Sequence, residues 1–166
     1  ETNTPEIYVG RDITPDEAEW YVDVSAKVGK GVADAWGVTF GQFDDDEYFK
    51  TLTRSLKHIS PNPVAIVISF PSNPTTKTRP LKFYEELVKV AKQNEVWILS
   101  DLAYAEIYFS ETPPPSILQV PGAKSVAVEF TSMSKTFSMP GWRMGFAVGN
   151  EILIAALEKI KSYLDY

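Results

Sequence analysis

Cysteine is absent from this 166-residue chain, and histidine occurs once, at His58. Without cysteine there is no disulfide, no thiol redox chemistry and no Cys-based zinc site, and a lone histidine cannot build a histidine-rich metal cage, so no metal site is expected. Long hydrophobic runs are missing too: the longest uninterrupted apolar stretch is a few residues, far short of the roughly 20 that span a bilayer. The opening at Glu1 shows no charged segment followed by an apolar one, as a secretory leader would. Positive charge is in short supply, with 16 Lys and Arg against 22 Asp and Glu. The resulting net charge of −6 argues against nucleic acid as the main partner. What remains, 44% hydrophobic and 23% charged residues, is an ordinary globular composition. A chain of this length can bury a core of its own as one domain. The expectation is a soluble, cytoplasmic protein with neither a membrane nor a nucleic-acid partner.

Order along the chain begins with a helix signal: Thr14, Pro15 and Glu17 read as an N-cap, a first-turn proline and the far member of a capping box. That helix would run from about Pro15 to Val28 and stop at Gly29. Lys30 between Gly29 and Gly31 lacks the spacing of a nucleotide-binding loop and reads as a linker. The acidic run Asp44 to Glu47 precedes Phe49, Leu52, Leu56 and Ile59, spaced by three and four. It reads as carboxylates at the positive end of a helix rather than as a metal site. Beyond residue 60, short apolar runs alternate with amphipathic helices. Val64 to Phe70 is a β-branched run suited to a buried strand. Leu81, Tyr84, Leu87, Val88 and Ala91 then recur at helical spacing, and Val96 to Ser100 is a second strand. Strand, helix, strand is a parallel crossover unit. Further strands are expected at about Ser125 to Phe130 and Arg143 to Gly149, the latter antiparallel if Arg143 is to reach the same edge, followed by a helix over Glu151 to Leu164. The proline run Pro113 to Pro115 marks a stiff surface loop. The architecture is α/β and layered.

In such sheets, ligands bind beyond the carboxyl ends of the parallel strands. Past the first strand of this unit lies Pro71-Ser72-Asn73-Pro74-Thr75, past the second Asp101-Leu102-Ala103-Tyr104, and past the third Thr131-Ser132-Met133-Ser134-Lys135. One edge thus receives an amide, a carboxylate with a phenol, and two hydroxyls with an amine, and Arg143 enters the fourth strand near the same place. Each residue has a plainer use when taken alone. Asn73-Pro74 starts turns, Asp101 can cap one, Tyr104 can pack, and Lys135 and Arg143 can simply be solvated. Together they suit a ligand with a cationic ring, a carbonyl and a phosphate.

At these residues the chain resembles a known family. Asn73-Pro74-Thr75, Asp101-Leu102-Ala103-Tyr104 and Ser132-Met133-Ser134-Lys135-Thr136-Phe137-Ser138-Met139-Pro140-Gly141-Trp142-Arg143-Met144-Gly145 are similar to the signature series of class I/II pyridoxal-phosphate aminotransferases of fold type I. Phe70 to Thr75 and Ala127-Val128-Glu129-Phe130 look most like the branch of alanine and LL-diaminopimelate aminotransferases. The resemblance implies a three-layer α/β sandwich with a mostly parallel sheet, the large domain of that fold in truncated form. It implies pyridoxal 5′-phosphate as cofactor, an amino acid and a 2-oxo acid as substrates, and a homodimer. Lys135 would carry the cofactor as an internal Schiff base and shuttle a proton, which requires its pKa to be lowered by burial and nearby positive charge. Asp101 would face the pyridine nitrogen. Asn73 and Tyr104 would bond the phenolic oxygen, with Tyr104 also tuning the lysine. Ser132, Ser134 and Arg143 would hold the phosphate.

The resemblance covers roughly residues 43 to 166. A phosphate-cup segment and a ring-stacking aromatic are not recognisable before Asn73, and the small C-terminal domain with its carboxylate-binding arginine lies outside the sequence. Residues 1 to 42 stay unassigned apart from their helix, and 43 to 166 are expected to form part of a large domain. Two other readings stand beside the aminotransferase: a non-catalytic fragment that binds the cofactor weakly or not at all, and a lyase or synthase with the same lysine block.

Overall fold

The computed structural model describes residues 7–10, 45–60, 63–73 and 76–164, with side chains from residue 45 onward except that of Glu47. The expected helix at Pro15 to Val28 and the Gly29-Lys30-Gly31 linker lie outside the described residues. Five strands form one sheet in the order β1-β2-β3-β4-β5. They are β1 Ile7–Gly10, β2 Ala65–Ser69, β3 Trp97–Asp101, β4 Ala127–Ser132 and β5 Gly145–Gly149. The first four run parallel and β5 runs antiparallel to β4. Helices α1 (Asp45–His58), α2 (Leu81–Asn94), α3 (Met133–Thr136) and α4 (Glu151–Leu164) complete the described elements. None of the described helices is long and apolar enough to cross a membrane. The α/β class with a mostly parallel sheet is therefore as the sequence implied, with one strand more: β1 was not foreseen.

In-register partners in a parallel sheet share a face, so Ile66, Ile98 and Ala127 form one row and Ile68, Ser100 and Glu129 the next. This face is the covered one. Ile66, Ile68, Ile98 and Ala127 are buried in a single core with Leu52, Leu56 and Ile59 of the α1 segment and Phe83, Tyr84, Leu87, Val88 and Ala91 of α2. Complete burial of a side chain such as Leu87 stabilises by about 1.5–3 kcal/mol. On the opposite face Val67, Trp97 and Leu99 are half-buried. The helical stripe on α2 is turned slightly from the one expected: Leu81 is 36% exposed and Phe83 takes the inward place. Phe83 faces a ring cluster, with centroids 5.0 Å from Tyr48, 5.1 Å from Phe49 and 5.7 Å from Phe70.

Helix ends follow local chemistry. Helix α1 begins at Asp45, whose carboxylate lies 3.7 Å from the Arg79 guanidinium, consistent with reading the acidic run as a helix start. The Arg79 guanidinium also stacks 5.0 Å from the Phe70 ring centroid and 5.5 Å from that of Phe83, bracing the end of β2. Helix α2 ends where Glu95 turns left-handed (φ 54°) and donates its N–H to the Ala91 carbonyl. Asn150 caps α4: its side-chain oxygen accepts from Ile152 N (2.9 Å) and Leu153 N (3.3 Å).

Candidate functional site

The parallel strands β2, β3 and β4 end on the same edge, because Ser69 pairs with Asp101 and Asp101 with Phe130. The polar segments identified in the sequence leave from there. After β2 the chain passes through a cis Phe70–Pro71 bond. Ser72 N donates to Lys77 O (2.9 Å) and Thr76 N to Ser72 O (2.8 Å), which fixes the backbone beside Asn73. After β3, Asp101 accepts from Ala103 N (3.2 Å) and Leu102 N donates to Phe130 O (2.8 Å). The turn that follows delivers Tyr104 to Asn73, whose Nδ2 donates to the Tyr104 hydroxyl at 3.1 Å. After β4, Ser132 accepts from Ser134 N (3.2 Å) and so starts the short helix α3, from which the Lys135 ammonium reaches over the Tyr104 ring, 5.6 Å from its centroid.

Asn73, Tyr104 and Lys135, each from a different strand end, are thus brought together, with Asp101 at the end of the strand between them. Lys135 is exposed, so the described residues do not supply the burial that the sequence reading asked of it. Arg143 does not open β5, as had been expected; the strand starts at Gly145. A turn of 3-10 helix at Pro140–Trp142 intervenes, and Arg143 ends it in the left-handed region (φ 52°). From there its Nη1 donates to the Pro140 carbonyl at 3.2 Å. One guanidinium N–H is thus used within its own turn, and the Ser132 oxygen accepts at the start of α3.

Beside Asn73 and Tyr104 opens a cavity of about 250 Å³, walled by Thr78, Ile107, Tyr108 and Ser110 among others. These residues went unnoticed in the sequence, where only the proline run after them stood out. Glu129 was also missed as more than part of a resemblance, although a carboxylate between Val128 and Phe130 is itself a signal. It is 8% exposed and bonded on the covered face of the sheet.

At its carboxyl edge the α/β sheet gathers an amide, a phenol, a carboxylate, an amine and hydroxyls, a set able to hold a small polar ligand. The comparisons make the class specific. The sequence profile of the family described as Aminotransferase class I and II matches residues 46–164, and the chain belongs to that family. It is 60% identical over 122 residues to a putative aminotransferase AatC of Rhizobium meliloti (strain 1021), covering 74% of this chain and 30% of that one. It is 48% identical over 120 residues to the glutamate-pyruvate aminotransferase AlaC of Escherichia coli (strain K12), covering 72% of this chain and 29% of that one. Proteins named LL-diaminopimelate aminotransferase are among the further matches, as the branch resemblance implied. An aminotransferase structure from Staphylococcus aureus superimposes with a TM-score of 0.59 at 36% identity, over 62% of this chain and 27% of that one. The chain therefore spans about 30% of the length of the curated relatives it matches.

Members of this family depend on pyridoxal phosphate, and the donor set fits that group. The Asn73–Tyr104 pair suits its phenolic oxygen, the Lys135 amine its aldehyde, the Asp101 carboxylate its ring nitrogen and the Ser132 and Ser134 hydroxyls its phosphate.

Proposed function

We propose that this chain is the cofactor-holding part of an aminotransferase that moves an amino group between an amino acid and a 2-oxo acid. The observation that carries the reading is the meeting of Asn73, Tyr104 and Lys135 from three strand ends, beside Asp101. Pyridoxal phosphate, when bound, supplies an electron sink for the bond broken at the amino acid Cα. The chain's own residues orient that group and handle protons. Asp101 keeps a proton on the ring nitrogen, opposite charge favouring the protonated form. Asn73 and Tyr104 would hold the phenolic oxygen, Lys135 would supply the attaching amine and a base for the proton at Cα, and Ser132, Ser134 and Arg143 would hold the phosphate.

The proposal places residues 43–166 in the large domain of the fold type and makes the working protein a cytoplasmic homodimer. Support for the aminotransferase reading comes from the matched region and from the names of the relatives. The test is titration of the purified chain with pyridoxal phosphate, followed by borohydride reduction and peptide mapping. One adduct per chain on Lys135 is expected, and none at that peptide in Lys135→Ala, with the fold retained. Labelling scattered over surface lysines, or an equal adduct in the variant, overturns the assignment.

A further inference from the structure

Burying a carboxylate inside a sheet is costly unless donors surround it, and an apolar side chain at the same place would serve stability as well. Glu129 sits in the middle of β4, on the covered face, 8% exposed. Its Oε1 accepts from Ser116 Oγ at 2.6 Å, and its Oε2 accepts from Ile117 N at 3.0 Å and from Ser100 Oγ at 3.3 Å. Ser116 in turn accepts from Leu118 N (3.1 Å), which starts the 3-10 turn Ile117–Gln119. One carboxylate therefore joins β3, β4 and the strap that returns from the loop between them.

What these three segments carry gives the join its meaning. Ser100 immediately precedes Asp101. The strap ends the loop that begins at Leu102, and that loop bears Tyr104 and lines the cavity with Ile107, Tyr108 and Ser110. Leu102 N already holds the loop's first end to Phe130 O (2.8 Å), and Glu129 holds its second. Glu129 itself lies on the strand that runs on into Ser132 and Lys135. Each bond of the carboxylate thus fixes a segment bearing a site residue against the strand that bears the lysine.

We propose that Glu129 is a positioning residue: through Ser100, Ser116 and the Ile117 N–H it sets Asp101 and Tyr104 at their distance from Lys135. This rests on the cofactor reading above. Glu129 touches no part of the reacting groups, and its contribution is geometric: a glutamine oxygen can still accept from Ile117 N and Ser100 Oγ while its NH2 donates to Ser116 Oγ, whereas an alanine makes none of these bonds.

The experiment uses the whole chain and two readouts, hydrogen exchange without cofactor and pyridoxal phosphate affinity with the reduced adduct mapped to Lys135. In Glu129→Ala, exchange across Ile117–Gln119 is expected to rise about tenfold or more, as for loss of a bond to a charged acceptor, and the half-saturating cofactor concentration by a similar factor. Glu129→Gln is expected to restore most of both. Unchanged exchange in Glu129→Ala overturns the join, and faster exchange with unchanged affinity overturns the positioning role, since a merely structural carboxylate moves only the first. Should Glu129→Ala fail to fold, Ser116→Ala removes the bond to the Glu129 carboxylate and the cap that accepts from Leu118 N, and is expected to weaken cofactor binding by about tenfold, as for loss of a bond to a charged acceptor; affinity equal to the parent's overturns the proposal. A parent chain with no adduct on Lys135 overturns the function itself and this role with it, and is told apart because it shows before any substitution.

Discussion

Tyr84 shows how one residue ties the core to the chemistry of the covered face. It is 1% exposed, and its phenol is pushed above its ordinary range first by burial and then by the negative charge of Glu129, with the Arg79 cation opposing. Tyr48 is pushed the same way by burial, again against Arg79. The folded form of each phenol keeps its proton where the unfolded chain, with a value near 10, releases it. Their contribution to stability is therefore fully present below about pH 10 and declines as pH rises above it, by up to ~1.4 kcal/mol per pH unit for each phenol. Chemical denaturation at about pH 9 and about pH 11 is expected to show that fall. Tyr84→Phe keeps the ring and should remove one phenol's share of the slope. An unchanged slope in that variant would falsify the assignment of the fall to Tyr84.

The same scale separates what the residues of the site disclosed from what they hid. Asn73, Asp101, Tyr104 and Lys135 were legible because strand ends on one edge of a parallel sheet must converge, whatever the loops do. The exposure of Lys135 and the turn-bound Arg143 were not, because both depend on how the segment from Ser138 to Arg143 coils. Ser138 and Arg143 each adopt a left-handed conformation (φ 53° and 52°) that no residue preference foretells. The bonds of Glu129 were hidden for a different reason. Ser116 reaches it only after the strap has docked, a contact set by tertiary packing and not by spacing.

Among the elements, β5 depends on a close approach. An added Cβ at Gly145 would lie 2.6 Å from the Thr131 carbonyl oxygen, a backbone atom that cannot swing away. Gly145 pairs with Ser132, and Met133 N donates to Met144 O (3.1 Å), so the start of β5 lies directly against the segment leading to Lys135. Gly145→Ala is expected to cost about 1–3 kcal/mol by forcing the two strands apart, read as a lowered denaturation midpoint. It should also lower the yield of reduced adduct on Lys135. Parent-like values of both would show that the strands separate freely and that the lysine does not depend on them. Elements were otherwise legible where one segment's own pattern decides them: the β-branched run marked β2, and apolar spacing marked α4 over the expected residues. Strand β1 was overlooked although Ile7-Tyr8-Val9 are strand formers, because so short a run is settled as a strand only by its pairing with β2. The rotated stripe of α2 has a similar origin, because Phe83 is drawn inward by the ring cluster at Tyr48 and Phe70.

At the scale of the whole molecule the cover on the sheet is uneven. Helix α2 and the Ile117–Gln119 strap bury the face carrying Ile66, Ile98 and Glu129. By register that face continues onto β5 through Val148, opposite Glu129, and Phe146, opposite Thr131. There the cover stops: Phe146 and Val148 are each 53% exposed, and no residue of α4 is fully buried, with Ile160 at 55% and Leu164 at 73%. Strand β5 pairs with β4 alone among the described strands, so its second edge offers unpaired backbone groups beside these apolar side chains. An edge strand with an apolar face and no charge to guard it favours association with another chain, and lysines on such an edge oppose it. The isolated chain is accordingly expected to sediment as a dimer or larger species in the micromolar range. The double substitution Phe146→Lys and Val148→Lys should shift it toward monomer, leaving the circular dichroism of the fold in place. Where one chain suffices for attachment, the same variant should still take up pyridoxal phosphate. Association that persists unchanged in the doubly charged variant would move the contact elsewhere, to the fully exposed Phe109 or to Trp142 beside the site.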